Sequence, residues 1–201
     1  MPKAEDRRVR YTKMVLKESL LKLLKKKPVS HISVKELCET ADVNRATFYA
    51  HYADPQALLG AIEDELVRGI CDVLDISHFD GRNVSTDLFE RVFSFIEENK
   101  DACAVLLADN GDVSFQRNVA QIVRLRCIEA AGAHGIATWQ EEYIYAYGSI
   151  GCVGLIMRWL SEGTPRTPKE MAELVRALVV NGMSAFDGAH AFLPPAGKTS
   201  N

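Results

Sequence analysis

Apolar residues recur along this chain with the period of an α-helix almost throughout. Leu16, Leu20, Leu23 and Leu24 share one side of a helix predicted over residues 6–26. Val34, Leu37, Cys38 and Ala41 fall at i, i+3, i+4 and i+7, the stripe of a second, short helix. Ser33 followed three residues later by Glu36 is a capping box that opens it. A third helix is predicted over 45–51 behind Asn44, a strong N-cap residue. Asp54 as N-cap and Pro55 at the first helical position open a long fourth helix over 54–75, with Leu59, Ile62, Leu66 and Val73 facing inward. Further helices are predicted over 85–98, 100–107, 112–131, 138–161 and 168–186. Residues 77–83 read as a loop. Breaks are expected at Asn110-Gly111, from Gly132 to Gly135 and from Gly163 to Pro165, and residues 194–201 as a flexible tail. No segment carries a convincing strand period. The expected fold class is all-α.

The second and third helices are separated by a turn too short for anything but a tight hairpin. Asp42 tolerates the left-handed backbone that such a turn needs, and Val43 is its apolar plug. Phe48 is expected to point at the core with Val43, which leaves Arg45, Thr47, Tyr49 and His51 facing largely outward. This is the pattern of a helix-turn-helix, whose second helix enters the major groove of DNA. Arg45 suits a bidentate pair with guanine, and Thr47 a base edge or a thymine methyl. Tyr49 and His51 suit phosphate oxygens, which position a protein without reading sequence. The full set of candidate DNA-binding residues is Ser33, Lys35, Asn44, Arg45, Ala46, Thr47, Tyr49 and His51.

Spacing alone would fit a plain helical hairpin equally well; charge decides between the two. Residues 1–52 hold twelve Lys and Arg against six Asp and Glu, a net +6. The other 149 residues hold twelve against twenty-one, a net −9. A basic head on an acidic body is expected if only the head meets phosphate. Composition, with 47% hydrophobic and 25% charged residues, fits a soluble globular chain. The charged N-terminus has no apolar run behind it, so no cleavable signal is expected. The longest uncharged run, 143–157, is shorter than a membrane span and holds three glycines. Five scattered cysteines (38, 71, 103, 127 and 152) suggest buried thiols in a reducing, cytoplasmic setting.

With these residues in view the head resembles the DNA-binding domain of the tetracycline-repressor (TetR) family, over about residues 8–66. The resemblance is carried by Ile32-Ser33, Leu37-Cys38, the run Ala41-Asp42-Val43-Asn44-Arg45-Ala46-Thr47-Phe48-Tyr49-Ala50-His51-Tyr52, and Leu58-Leu59. Two positions depart from the family pattern. Asp42 stands where Gly is typical, and Pro55 where a phosphate-contacting Lys is typical. The body resembles a TetR-like regulatory domain through Ile96-Glu97-Glu98-Asn99-Lys100, the segment from Leu106 to Asp112, Phe115, and Trp159-Leu160 with Glu162-Gly163. The resemblance implies a three-helix DNA-binding domain over 1–53 and a helical ligand-binding and dimerisation domain over 54–193.

Within that body, residues 144–157 carry no charge on any face, and a helix apolar all round is expected to be buried on all sides. Gly148, Gly151 and Gly154 recur every three residues, at a cost of ~1 kcal/mol each relative to Ala. Close approach of another helix or of a ligand would compensate. With the following helix this segment is expected to form an intermolecular four-helix interface, with Gly151, Leu155, Trp159, Leu174 and Leu178 as candidates. A crowded monomer core is the plainer alternative, but heads that read two half-sites favour a two-fold homodimer. Candidate pocket residues are Phe93, Ile96, Cys103, Leu107, Phe115, Ile122, Arg126, Tyr143, Tyr147 and Cys152, where core and pocket share one composition.

No Gly-rich phosphate loop, H-E-x-x-H or G-x-S-x-G motif supports an enzyme, and no cofactor or structural metal is expected. Two alternatives stay open. A metal-responsive regulator would use Cys103, Cys127, His78 and His134. A coactivator on the same scaffold would bind a protein partner, with Pro55 as its hint. The leading expectation is a cytoplasmic repressor that binds a palindromic DNA operator as a homodimer, away from any membrane. An unidentified small-molecule effector would release it by shifting the helix that begins at Asp54.

Overall fold

A computed structural model of the chain describes residues 4–74, 86–107, 113–132 and 139–184. Among these the architecture is helical, with no strand. In order come α1 (Ala4–Leu24), a 3₁₀ turn (Val29–His31), α2 (Val34–Ala41), α3 (Arg45–Tyr49) and α4 (Pro55–Val73). They are followed by α5 (Thr86–Glu98), α6 (Lys100–Leu106), α7 (Val113–Gly132), α8 (Trp139–Ser161) and α9 (Pro168–Ser184). The expected loop at 77–83, the break at Asn110-Gly111, most of the break at Gly132–Gly135 and the tail at 194–201 lie outside the described residues.

Each early helix begins where local chemistry says it should. The backbone N–H of Ala57 donates to Asp54 Oδ1 at 2.7 Å, and Pro55 fills the first position of α4. α1 stops at Leu24, short of the Lys25-Lys26-Lys27 run, and its end tightens through a bond from the Lys26 N–H to the Leu23 carbonyl. Pro28 then disfavours helical backbone in the residue before it and leads into the 3₁₀ turn, an element not anticipated from periodicity. The expected capping box of α2 forms by half. Ser33 Oγ accepts from the Glu36 N–H at 3.2 Å, but the Glu36 carboxylate pairs with Lys27 Nζ at 2.6 Å instead of reaching back.

The chain divides into two compact units. The first comprises Met1–Ile70 with Asn99–Gln116, so α6 joins the N-terminal helices. Its core holds Leu16, Leu20 and Leu23 of α1, Leu37 and Cys38 of α2, Phe48 of α3, Leu58, Leu59, Ile62 and Leu66 of α4, and Cys103 and Leu106 of α6. α1 packs on α2 and on α6. Ion pairs tie α1 to α4, Lys17 with Glu65 at 3.1 Å, and the end of α1 to α6, Lys25 with Asp101 at 2.9 Å. Largely exposed pairs of this kind contribute little, about 0–1 kcal/mol each, so apolar burial holds the unit together.

The second unit comprises Cys71–Glu98 with Arg117–Asn201, and its main contact runs between α5 and α9. Phe93 of α5 meets Trp159 of α8 edge to face, with ring centroids 5.3 Å apart. The Trp159 indole N–H donates to the Arg166 carbonyl at 2.9 Å. α8 ends in a Schellman motif: Thr164 N–H donates to the Trp159 carbonyl and Gly163 N–H to the Leu160 carbonyl. Gly163 takes a positive φ of 79°, which that motif requires. α9 opens with a reciprocal box: Glu170 Oε2 accepts from the Thr167 N–H at 2.8 Å and from its hydroxyl at 2.9 Å, and the Glu170 N–H returns a bond to Thr167 Oγ1.

One expectation about α8 is corrected. The helix is not buried on all sides within one chain. Tyr147 and Ile150 are 82% and 68% exposed, and Gly151 and Gly154 are exposed beside them. They fall at i, i+3, i+4 and i+7 and so form one stripe along the helix.

Candidate nucleic-acid interface

The second helix of the hairpin is held by one side chain and opened by another. Phe48 is fully buried, 0% exposed, with the Tyr49 ring near perpendicular to it, centroids 5.6 Å apart, and the Tyr52 ring tilted against it at 6.0 Å. Asn44 caps α3, its Oδ1 accepting from the Thr47 N–H at 2.7 Å. The turn before it takes the predicted left-handed residue: Asp42 has φ 52° and ψ 46°, and Val43 N–H closes onto the Cys38 carbonyl at 3.0 Å.

This scaffold brings the expected residues to one stretch of surface. Asn44, Arg45, Ala46 and Tyr49 are exposed, and Thr47 and His51 half-buried. Arg45 has no carboxylate partner among the described residues, so its guanidinium is available to an anion or a base edge. Lys35 is exposed and only loosely near Glu39, at 3.9 Å. Ser33 is exposed but its hydroxyl oxygen is engaged in the cap of α2. Lys35, Cys38, Glu39, Asp42, Val43, Asn44 and Arg45 line an open concavity of about 360 Å³. Burial pushes the Cys38 thiol up from its ordinary range, and the nearby Arg45 charge partly offsets this. Cys38 is therefore a neutral, apolar member of that wall. Pro55 is buried, so the first position of α4 presents no polar group.

The candidate pocket residues are spread over both units. Cys103, Leu107 and Phe115 are buried in the first unit; Phe93 is buried in the second, where Cys152 is half-buried. The Arg126 side chain lies outside the described residues. Tyr143 and Tyr147, expected as lining, are instead 73% and 82% exposed. They sit four residues apart on α8. The expected interface residues also separate. Gly151, Leu174 and Leu178 are exposed and Leu155 is half-buried. Trp159, expected as an anchor, is 2% exposed and belongs to the core against Phe93. Ile150, not singled out from sequence, takes its place on the exposed side. The signal was present: nine residues separate Ile150 from Trp159, about half a turn apart at 3.6 residues per turn.

Of the proposed metal set, His78, His134 and the Cys127 side chain lie outside the described residues. Burial pushes the Cys103 thiol up to about 12, which disfavours the thiolate a metal would need. Among the described residues no group of three or more His, Cys, Asp or Glu is placed to hold a metal ion. Among them also, no helix is long and apolar enough to cross a membrane.

A family model for the C-terminal region of TetR-type transcriptional regulators matches residues 84–181. A curated relative, the uncharacterized HTH-type transcriptional regulator YxbF of Bacillus subtilis (strain 168), is 27% identical over 169 residues. That match takes in 82% of this chain and 43% of the relative, so the chain spans less than half of that protein's length. Over its C-terminal half the chain is thus similar to TetR-type transcriptional regulators, and over most of its length to a helix-turn-helix regulator.

Solved structures of regulators share its fold. A TetR transcriptional regulator from Streptococcus agalactiae 2603V is 21% identical with a TM-score of 0.58, covering 87% of this chain and 97% of that one. The fatty acid degradation regulator FadR from Bacillus halodurans is 8% identical with a TM-score of 0.63, covering 86% and 96%. Thermus thermophilus FadR, a TetR family repressor solved with lauroyl-CoA, is 16% identical with a TM-score of 0.52, covering 94% and 100%. At such identities the likeness is one of fold.

Proposed function

We propose that this chain is a TetR-family, sequence-specific DNA-binding repressor. It acts in the cytoplasm as a homodimer on a near-palindromic operator and is released by a small-molecule effector. Residues 1–53 read DNA, and residues 54–193 pair the subunits and hold the effector. The observation that carries the reading is the division of α3: Phe48 wholly inside, Arg45 and Tyr49 outside, with no carboxylate on Arg45 among the described residues. A short helix rooted by one aromatic and tipped by a free guanidinium suits a major groove. The exposed apolar residues Tyr147, Ile150, Leu174 and Leu178 support a two-fold partner on α8 and α9. A dimer seated on a promoter blocks polymerase without further contacts, which favours repression.

An effector releases the operator only by binding the DNA-free state more tightly than the DNA-bound one. Long-chain acyl-CoA thioesters are the first compounds to try, because a regulator of the same fold holds one. Selection from a random DNA pool at two salt concentrations tests the reading. Recovery of an inverted repeat supports it. Recovery of salt-sensitive, sequence-blind binding alone overturns it and favours a protein-binding coactivator, for which the buried Pro55 at the start of α4 is the supporting observation.

A further inference from the structure

The Thr47 hydroxyl is committed before any ligand arrives. Asn44 Oδ1 lies 2.7 Å from the Thr47 backbone nitrogen and 2.9 Å from Thr47 Oγ1. A backbone N–H can only donate, so the atom it meets is the Asn44 carbonyl oxygen and not its amide nitrogen. That oxygen can only accept. The second contact therefore uses the one proton of the Thr47 hydroxyl, and Oγ1 keeps only lone pairs for anything outside. The side chain is half-buried between exposed Arg45 and exposed Tyr49, on the stretch that carries the DNA-binding reading.

We infer that Thr47 reads its base pair as a hydrogen-bond acceptor, and that Asn44 is the positioning residue that fixes this polarity; the inference rests on the proposed DNA binding. An acceptor repels other acceptors. Phosphate oxygens and guanine N7 and O6 are all acceptors, so Thr47 is neither a phosphate contact nor a reader of guanine. Adenine N6 and cytosine N4 present donors in the major groove, and thymine presents a methyl that the Thr47 methyl can meet. An A·T pair offers both partners at once and is the pair Thr47 selects. Arg45, whose groups only donate, takes the complementary role of pairing with guanine. The two residues thus divide the groove by polarity.

The test measures affinity for the recovered operator, for its single-base-pair variants, and for a version with purine, which lacks the N6 amino group, in place of adenine. At one position per half-site the wild-type protein is expected to prefer A·T and to lose about tenfold on purine. Thr47→Val keeps the methyl, removes the acceptor and is expected to bind adenine and purine equally. Thr47→Ser keeps the locked hydroxyl and the purine effect. Asn44→Gly frees the hydroxyl proton while leaving an acceptable N-cap residue, and is expected to shrink the purine effect to within about twofold. The inference is overturned if Thr47→Val weakens all sequences equally, or leaves every base preference unchanged. It is equally overturned if Asn44→Gly keeps the full purine effect, and that variant decides alone should Thr47→Val bind no DNA. A wild-type protein with no base preference at any position would instead remove the DNA-binding reading itself.

Discussion

The helix-turn-helix and the α8–α9 region put their apolar residues in opposite places. In the first, Phe48, Leu37 and Cys38 are buried, and what faces outward is mostly charged or polar, with Tyr49 the one large apolar side chain among them. Both short helices have side-chain caps from Ser33 and Asn44. In the second, Tyr147, Ile150, Leu174 and Leu178 lie outside, while Trp159, Val175 and Met171 fill the inside. Among the described residues, nothing lies within 4 Å of where a Cβ would stand on Gly148, Gly151 or Gly154. The first region is complete as one chain and turns charge outward. The second carries a hydrophobic cost in water that only another surface removes. The two regions therefore differ in the kind of partner each would suit, a polyanion for the first and an apolar surface for the second.

The largest effect is expected on the head. Phe48→Ala should cost ~3–5 kcal/mol, read as a lower denaturant midpoint, because the ring is wholly buried. Ile150→Ala, measured at concentrations where the chain is monomeric, should cost no more than ~0.5 kcal/mol, as exposed substitutions do. Equal costs would break the comparison.

Next in size is the pairing of subunits. Ile150→Glu with Leu178→Glu should move the sedimenting species from dimer to monomer and leave helical circular dichroism intact. A monomeric wild type would contradict this. Arg45→Ala should then cost ~1–3 kcal/mol of binding and relax specificity at one base pair. Uniform weakening on all sequences would make Arg45 a phosphate contact. Asp54→Ala removes the cap of α4 and should lower stability by ~1 kcal/mol in the same denaturant assay.

The smallest effect is one of pH. Hydrogen bonds from the Thr167 N–H and hydroxyl hold the Glu170 carboxyl below its ordinary range. A depressed carboxylate stabilises the fold above its unfolded pKa, and that contribution fades as pH falls through the folded value. Amide protection at the start of α9, taken relative to the intrinsic exchange rate at each pH, should therefore fall on acidification below the usual carboxylate range. Glu170→Gln should remove that dependence.

Helix starts were legible in the sequence because a cap is made within four residues. Asn44 and Asp54 cap as their positions predict, and Asp42 turns as predicted. Glu36 was misread because Lys27, outside the local window, competes for its carboxylate. The α8 helix was legible as a helix but not as a set of faces. Spacing puts Ile150 half a turn from Trp159, but a segment without charge offers no polar side to say which of the two turns inward; Trp159 packs on Phe93 and Ile150 is exposed. A pocket is hard to read for a related reason: Phe93 and Cys103 are buried, and a buried apolar side chain has the same composition in a core as in a pocket lining. The polarity of Thr47 could have been anticipated from an Asn N-cap with a hydroxyl three residues on.

The ratio of affinities for a full inverted repeat and for a single half-site, taken for wild type and for the Ile150→Glu, Leu178→Glu double variant, bears most directly on a two-headed DNA reader. The expected result is wild-type binding to the full repeat at least about a hundredfold tighter than to the half-site, with that advantage lost in the double variant. A wild-type ratio near one, or a variant that keeps the full advantage, would contradict it.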